Sequence, residues 1–488
     1  MAVLVASVTL GWMAADSMSG RSTTDLTSRA DPAEPPYEND VPAPAAPEPA
    51  SPQPLAPSPQ AAPTPPAAPP QAQPPQAQPP PEAPAPPAPR PPPAPEPRPA
   101  TPPPAPPASP PELRPYQPPP ALGIAAEALP PDGQAWGLVR AARRAAAPGS
   151  QERADLDWLV SYARVAAVPD APDGRRAAAR RALRVNAWWF GSRPSPGERV
   201  IARDPDGVIL TYKRGHGFTV NPVATIGRWR DLNAAWTPAQ LAEAVLPMLV
   251  TRSAGSTKWA ALEYFDVPGD RAAVRPGVSG MAQARAVGLM AKAWATTGDP
   301  RFAAAAERAL RAFTVPVDAG GVLARVPDPA GGPPGPWYPE RAYPGSPPWT
   351  GAALNGFMVT LIELRRAAQA LSQPAPAATG TSPVTTPDSA AAAGPQTAVA
   401  RMAREAADRG ARSLARFLPE HDTGAWSLYG LLTPGKPWRS YLADLNYHCY
   451  HVSLLRTLDT LYPADGHAAV AARWQSYVDA RGAVCPAR

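Results

Sequence analysis

Apolar and polar positions alternate with two different periods along this chain. From Ala121 to about Val185, stretches such as D-L-D-W-L-V-S-Y-A-R-V-A and R-R-A-A-A-R-R-A-L-R-V carry apolar residues at helical spacing. They predict short amphipathic helices lying against something larger. The run R-V-I-A-R-D-P-D-G-V-I-L-T-Y-K then alternates with a period of two around Asp204, Pro205, Asp206 and Gly207. That pattern predicts a β-hairpin, because Pro-Asp-Gly supplies a preset turn and a position tolerant of positive φ.

After Trp236 the pattern is helical almost throughout. Thr237 followed by Pro238 is an N-cap with proline at the first helical position, opening T-P-A-Q-L-A-E-A-V-L-P-M-L-V. Further helices are predicted at roughly 277–297, 299–313, 351–371, 396–418, 444–461 and 465–481, the second opened by Gly298, Asp299 and Pro300. Helix pairs of this kind bury one apolar face against their neighbours and leave their loop tips to build a cleft. The predicted fold is therefore mainly α: an α/α toroid, or incomplete α/α barrel, over 236–488, preceded by a small α+β region over 121–235.

Composition changes this picture at the N-terminal end. Of the 76 prolines among the 488 residues, 42 lie between Asp31 and Pro120. With few large apolar residues, residues 16–120 are expected to form a disordered, polyproline-type linker, reaching about 250 Å if fully extended. Residues 1–15, M-A-V-L-V-A-S-V-T-L-G-W-M-A-A, resemble the apolar part of an export signal or a truncated anchor. They are short for a span, which wants about 20 residues. An extracellular or cell-envelope location, with tethering through this segment, is the expectation. A second low-complexity patch, 372–396, reads as a disordered insertion within the helical part.

Charge and cysteine content narrow the function classes. A net charge of +6 that is spread rather than clustered gives no support for nucleic-acid binding. The two cysteines, Cys449 and Cys485, are too few for a disulfide scaffold, although one bond between them suits an exported protein. The oligomeric state is open, a homodimer included.

Four stretches carry candidate chemistry. In V-S-G-M-A-Q-A-R-A-V-G-L-M-A-K-A-W, at 278–294, Gln283 and Arg285 are the only candidates for polar work on a helix otherwise built for packing. In W-Y-P-E-R-A-Y-P, Trp337 and Tyr338 stand beside Glu340, Arg341 and Tyr343. Such a set suits a sugar acid: aromatic faces stack on it, a guanidinium pairs with its carboxylate, and Glu or Tyr moves protons. Asn355 opens a helix in A-L-N-G-F, where a tie to backbone and a ligand contact are both open. Finally N-Y-H-C-Y-H-V places His448 and His451 three apart, yet no third or fourth ligand stands at a recognisable spacing, so no metal site is expected. No cofactor is called for.

Taken in order, S-G-M-A-Q-A-R-A, T-G-D-P-R-F, G-G-V at 320–322, W-Y-P-E-R-A-Y-P, A-L-N-G-F, S-L-Y at 427–429 and N-Y-H-C-Y-H-V resemble the C-terminal part of the D-glucuronyl C5-epimerase family, over about 255–488. The resemblance implies an α/α-barrel-like domain that inverts C5 of glucuronate residues within an acidic polysaccharide. It matches Tyr429 to a catalytic tyrosine, Tyr447 to the tyrosine of a Tyr-His-x-x-His motif, and Tyr343 to that of W-Y-E-E-Y-P. Glu340 is then the remaining acid of that motif. Trp337, Arg341, Gln283, Arg285, Asn355, Arg439, His448 and His451 become candidates for substrate binding. The chain departs from the pattern at Pro339, which replaces one acid, and at Gln283-Ala284-Arg285, where Gln-Gly-Gln is usual.

A tyrosine ordinarily ionises at about pH 10, so a phenolate base would need Arg341, Arg439 or His448 beside it. Two other functions fit parts of the sequence: a polysaccharide lyase on the same fold, and a non-catalytic glycan- or wall-binding protein. A hydrolase would need a carboxylate pair, for which only Glu340 and Asp444 stand out.

Overall fold

The computed structural model describes residues 121–168, 170–196, 200–227, 236–264, 276–328, 331–347, 351–373, 395–430 and 442–485. The expected signal-like segment, the proline-rich linker, most of the 372–396 insertion and Arg439 lie outside the described residues.

Three helices come first: α1 (Asp132–Ala145), α2 (Gln151–Ala167) and α3 (Asp173–Phe190). They lie against a four-stranded sheet in which β1 (Leu122–Gly123) runs parallel to β2 (Ile201–Arg203), followed by antiparallel β3 (Ile209–Lys213) and β4 (Gly217–Val220). The predicted hairpin is the β2–β3 pair. Its turn closes because Asp204 Oδ1 accepts from the backbone N–H groups of Asp206 and Val208, at 3.0 and 2.9 Å, while Gly207 takes φ 87°.

Next come α4 (Pro222–Gly227) and α5 (Pro238–Val245), the latter opened by the predicted Thr237 cap as a full capping box with Gln240. Here the structure departs from the helical expectation. The helix stops at Val245, a single tight turn follows at Leu246–Met248, and the chain enters β5 (Leu249–Ala254), β6 (Thr257–Tyr264) and β7 (Gly277–Val278), an antiparallel meander. Pro247 has no N–H for a continuing helix, and Gly255-Ser256 makes the two-residue turn that the run L-V-T-R-S-A-G-S-T-K-W-A-A-L needs to fold back.

The remaining elements are α6 (Gly280–Thr297), α7 (Pro300–Leu310), the short β8 (Ala324–Val326) and β9 (Gly335–Trp337) hairpin, α8 (Leu354–Leu371), α9 (Pro395–Phe417), α10 (Leu445–Leu461) and α11 (His467–Asp479). Of the seven helices predicted after Trp236, six form close to their predicted spans and the first is cut short at Val245. Eleven α-helices among the described residues make the protein mainly helical.

The central helix is α8, which packs on α6, α9 and α10 and is buried along most of its length. One apolar cluster runs from Ile124 to Trp474, so the α+β region and the helical part share a core. Their junction also holds a buried ionic triad. Glu263 on β6 takes both oxygens to Arg175 of α3, each at 2.9 Å, and Arg252 adds a third bond at 2.8 Å.

Candidate active site

The W-Y-P-E-R-A-Y-P segment leaves β9 and divides after two residues. Trp337 is fully buried, stacked on Phe357 at 3.9 Å and set edge-on to Phe417. Tyr338 is equally buried and donates its hydroxyl to the Ala406 carbonyl at 2.9 Å. Both rings are spent on the core, so Trp337 presents no face to a sugar.

The next residues are held by backbone. Gly280 N–H donates to Pro339 O at 2.8 Å, Glu340 N–H to Gly351 O at 2.8 Å, and Val278 and Ala342 exchange two bonds at 3.0 and 2.8 Å. This clamps Glu340 and Tyr343 between β7 and the approach to α8. Two glycines make room for them. A Cβ at Gly277 would fall 2.2 Å from Tyr343 Cε1, and one at Gly356 would fall 3.1 Å from Glu340 Oε2. The Glu340 carboxylate thus sits against the first turn of α8, where N–H groups without an intrahelical partner and the helix dipole favour negative charge.

The second wall comes from α10 and the segment before it. Asp444 caps α10 by accepting from Tyr447 N–H at 2.8 Å, which fixes Tyr447 in the first turn. Tyr429 lies on an extended segment that bridges Ala353 through Gly430, and its carbonyl accepts from Leu354 N–H at 2.8 Å. The start of α8, the start of α10 and the 427–430 segment are therefore neighbours. The Tyr429 and Tyr447 rings meet edge to face, centroids 4.6 Å apart.

Tyr447 is 1 % exposed, whereas Tyr429 is half-buried and reaches the surface. The Tyr447 hydroxyl forms no hydrogen bond of regular geometry, although Tyr429 neighbours it. Burial above all, then the influence of Tyr429, Glu340 and Asp444, pushes its pKa well above the ordinary phenol value. Tyr447 is accordingly a neutral phenol at rest.

One residue further on, the chemistry is different. His448 Nε2 faces the Trp474 carbonyl at 2.9 Å, and its Nδ1 lies 3.1 Å from Ser427 N–H and 2.8 Å from Ser427 Oγ. A carbonyl needs a proton on Nε2 and an amide N–H needs a lone pair on Nδ1, so His448 is the neutral Nε2–H tautomer with both nitrogens committed. Burial holds its pKa down to about 4. Ser427 Oγ also meets His451 Nδ1 at 2.9 Å, and the His448 ring stacks on Trp426 at 3.8 Å. Cys449 is bonded to Cys485, which ties the N-terminal part of α10 to the segment beyond α11. His448 and Ser427 thus lock the helix start in place, and His448 has no nitrogen left for substrate or metal.

Gln283 and Arg285 sit on α6 away from this gathering. Gln283 accepts from Leu262 N–H and donates to the Ala260 and Ala309 carbonyls, at 3.1, 2.6 and 3.0 Å, which spends its amide on backbone. Arg285 is buried and donates to the Val223 carbonyl at 3.0 Å, in a space that Gly227 keeps open. Arg341 is half-buried beside Gly351. Asn355 stands in the first turn of α8 next to Gly356, 1 % exposed, with its Oδ1 lacking a hydrogen-bond partner. The structure thus gathers Glu340, Tyr429, Tyr447 and Asn355 around two helix starts, and gives Trp337, Gln283, Arg285 and His448 to the framework. The two glycine notches and the Asp444 cap escaped the sequence reading; the Gly in A-L-N-G-F was the available signal for one of them.

Residues 258–476 match the family model described as D-glucuronyl C5-epimerase C-terminus. A Caenorhabditis elegans protein named D-glucuronyl C5-epimerase is 27% identical over 199 residues, which cover 41% of this chain. The match spans only 28% of that relative's length.

Proposed function

We propose, for a chain that belongs to the D-glucuronyl C5-epimerase family as a divergent member, that it inverts C5 of uronic acid residues, of the glucuronate-to-iduronate type, in an acidic polysaccharide. The observation that carries this reading is that the Glu340 carboxylate lies against the first turn of α8, the same turn that Tyr429 holds through its carbonyl, while the Tyr429 ring packs on the buried Tyr447. The C5 proton is α to a carboxylate, so its removal leaves an enolate-like anion that must be reprotonated from the opposite face. Glu340, on one wall, accepts the C5 proton. The Tyr429–Tyr447 pair, on the other, returns one to the carbon, with Tyr429 reaching the surface and Tyr447 behind it.

A raised phenol pKa serves this role in both directions. The neutral phenol is the resting acid, and the phenolate left after transfer is a strong base for the reverse reaction. The α/α-toroid arrangement and an exported location belong to the same proposal, the latter supported by the Cys449–Cys485 bond.

Incubation with polyglucuronate in deuterated water tests it. Deuterium should enter at C5, and Tyr447→Phe should abolish the exchange. Absence of exchange across a panel of uronans would sink the proposal, and a rise in ultraviolet absorbance from unsaturated chain ends would replace epimerisation by elimination.

A further inference from the structure

The arginines of α3 follow one rule with a neighbouring exception. Arg175 pairs with Glu263, Arg176 with Asp173, Arg180 and Arg184 with Asp132, and Arg181 with Asp204 and Asp206. Arg193, three residues past the end of that helix, forms no ion pair among the described residues and is exposed. Its guanidinium instead lies over two indoles, 4.5 Å from the Trp188 ring and 5.2 Å from that of Trp189.

This arrangement is built rather than incidental to a floppy side chain. Trp188 and Trp189 stand edge to face, centroids 6.0 Å apart, and Trp189 is backed by Phe218 at 5.2 Å. The backbone turns back on itself, with Arg193 N–H donating to the Trp189 carbonyl at 3.0 Å. Trp189 Nε1 in turn donates to the Pro194 carbonyl at 2.8 Å, closing the turn around Arg193. Aromatic stacking occupies the faces of a guanidinium and leaves its in-plane donors free. Those donors form a fork that matches a carboxylate or a sulfate in two parallel bonds.

We propose that Arg193, seated on Trp188 and Trp189, is a second anion-recognising subsite for the acidic glycan, one that pairs with the carboxylate of a uronate residue remote from the reacting one. The identity of the ligand rests on the proposed substrate class; the geometry of the fork does not. A cation placed after a helix C-terminus also stabilises the helix dipole, and a lysine would serve that purpose as well. Only the planar fork separates the two roles.

The test is the affinity of the full chain for polyglucuronate and, separately, for dextran sulfate, measured calorimetrically with Tyr447→Phe as the non-turnover parent. Adding Arg193→Ala or Arg193→Lys to that parent should each weaken polyglucuronate binding about tenfold. Thermal unfolding of each variant is recorded alongside, so that a folding defect is read separately. Arg193→Lys binding as tightly as the parent, or both variants staying within about twofold of it, overturns the subsite. A loss confined to dextran sulfate overturns the uronate assignment. Arg193-dependent binding without deuterium exchange keeps the subsite and removes the epimerase reading, whereas exchange with Arg193-independent binding does the reverse.

Discussion

Tyr447 and His448 are adjacent in sequence and share the first turn of α10, yet they meet opposite surroundings. His448 is satisfied at both nitrogens by Ser427 and Trp474 and is stacked on Trp426. Tyr447 is as deeply buried, but its hydroxyl has no regular hydrogen bond and its ring packs on Tyr429. About 100° of helix rotation separates the two side chains. A buried polar group with every partner supplied is framework, because its desolvation is offset. One left without a regular partner costs stability. W-Y-P-E-R-A-Y-P is divided by packing instead: its first two rings are core, while Glu340 and Tyr343 are seated in glycine notches.

The sharpest way to break this comparison is to remove the two functions separately. Tyr447→Phe deletes a hydroxyl with no hydrogen bond of regular geometry, so exchange at C5 should fall on the order of 10²- to 10⁴-fold while thermal stability stays level or rises. A melting temperature that drops with the rate would put Tyr447 in the framework alongside His448. Next in size is the response to acid. Burial holds both His448 and His421 neutral, each with a pKa of about 4. Unfolding lets them take up protons at their ordinary value near 6.5, so the unfolded chain binds more protons throughout the window between. Stability is complete above pH about 6.5 and falls as pH is lowered to about 4, by about 3 kcal/mol for each ring. Denaturant titrations across that window measure the slope, and a flat profile would show that the histidines are not held neutral by the fold.

Much of this architecture was legible in the sequence because local signals agreed with the global fold. Thr237, Asp299 and the Asp204–Gly207 turn each carry their own hydrogen-bonding chemistry, and the elements they open or close form where the pattern puts them. The β5–β7 meander was not legible. L-P-M-L-V continues the apolar face of α5, and only the proline and the later Gly255 turn reveal the change of period. At the proposed site, residue types pointed to segments that the fold brings together but could not say which side chains turn inward. Trp337 resembles a sugar platform in sequence, and Gln283 a ligand contact. Each is consumed by partners from distant parts of the chain: Phe357 and Phe417 for the first, Ala260 and Ala309 for the second. Such partners are set by tertiary packing, which spacing within one segment does not encode.

The smallest expected effect is the most discriminating, because it drives stability and activity in opposite directions. Gly356 lies within the first turn of α8 at a helical position where alanine is intrinsically better than glycine by about 1 kcal/mol. The added methyl would meet Glu340 Oε2 at 3.1 Å and Glu340 Cβ at 3.2 Å, close enough to shift the carboxylate by a few tenths of an ångström. Gly356→Ala should therefore leave the melting temperature unchanged or slightly higher. The rate of C5 exchange should fall by about tenfold, chiefly in kcat, since a misplacement of this kind acts on the proton transfer rather than on distant substrate contacts. If the rate holds while stability rises, Glu340 is not aimed at the reacting carbon, and the carboxylate belongs with His448 on the structural side of the site.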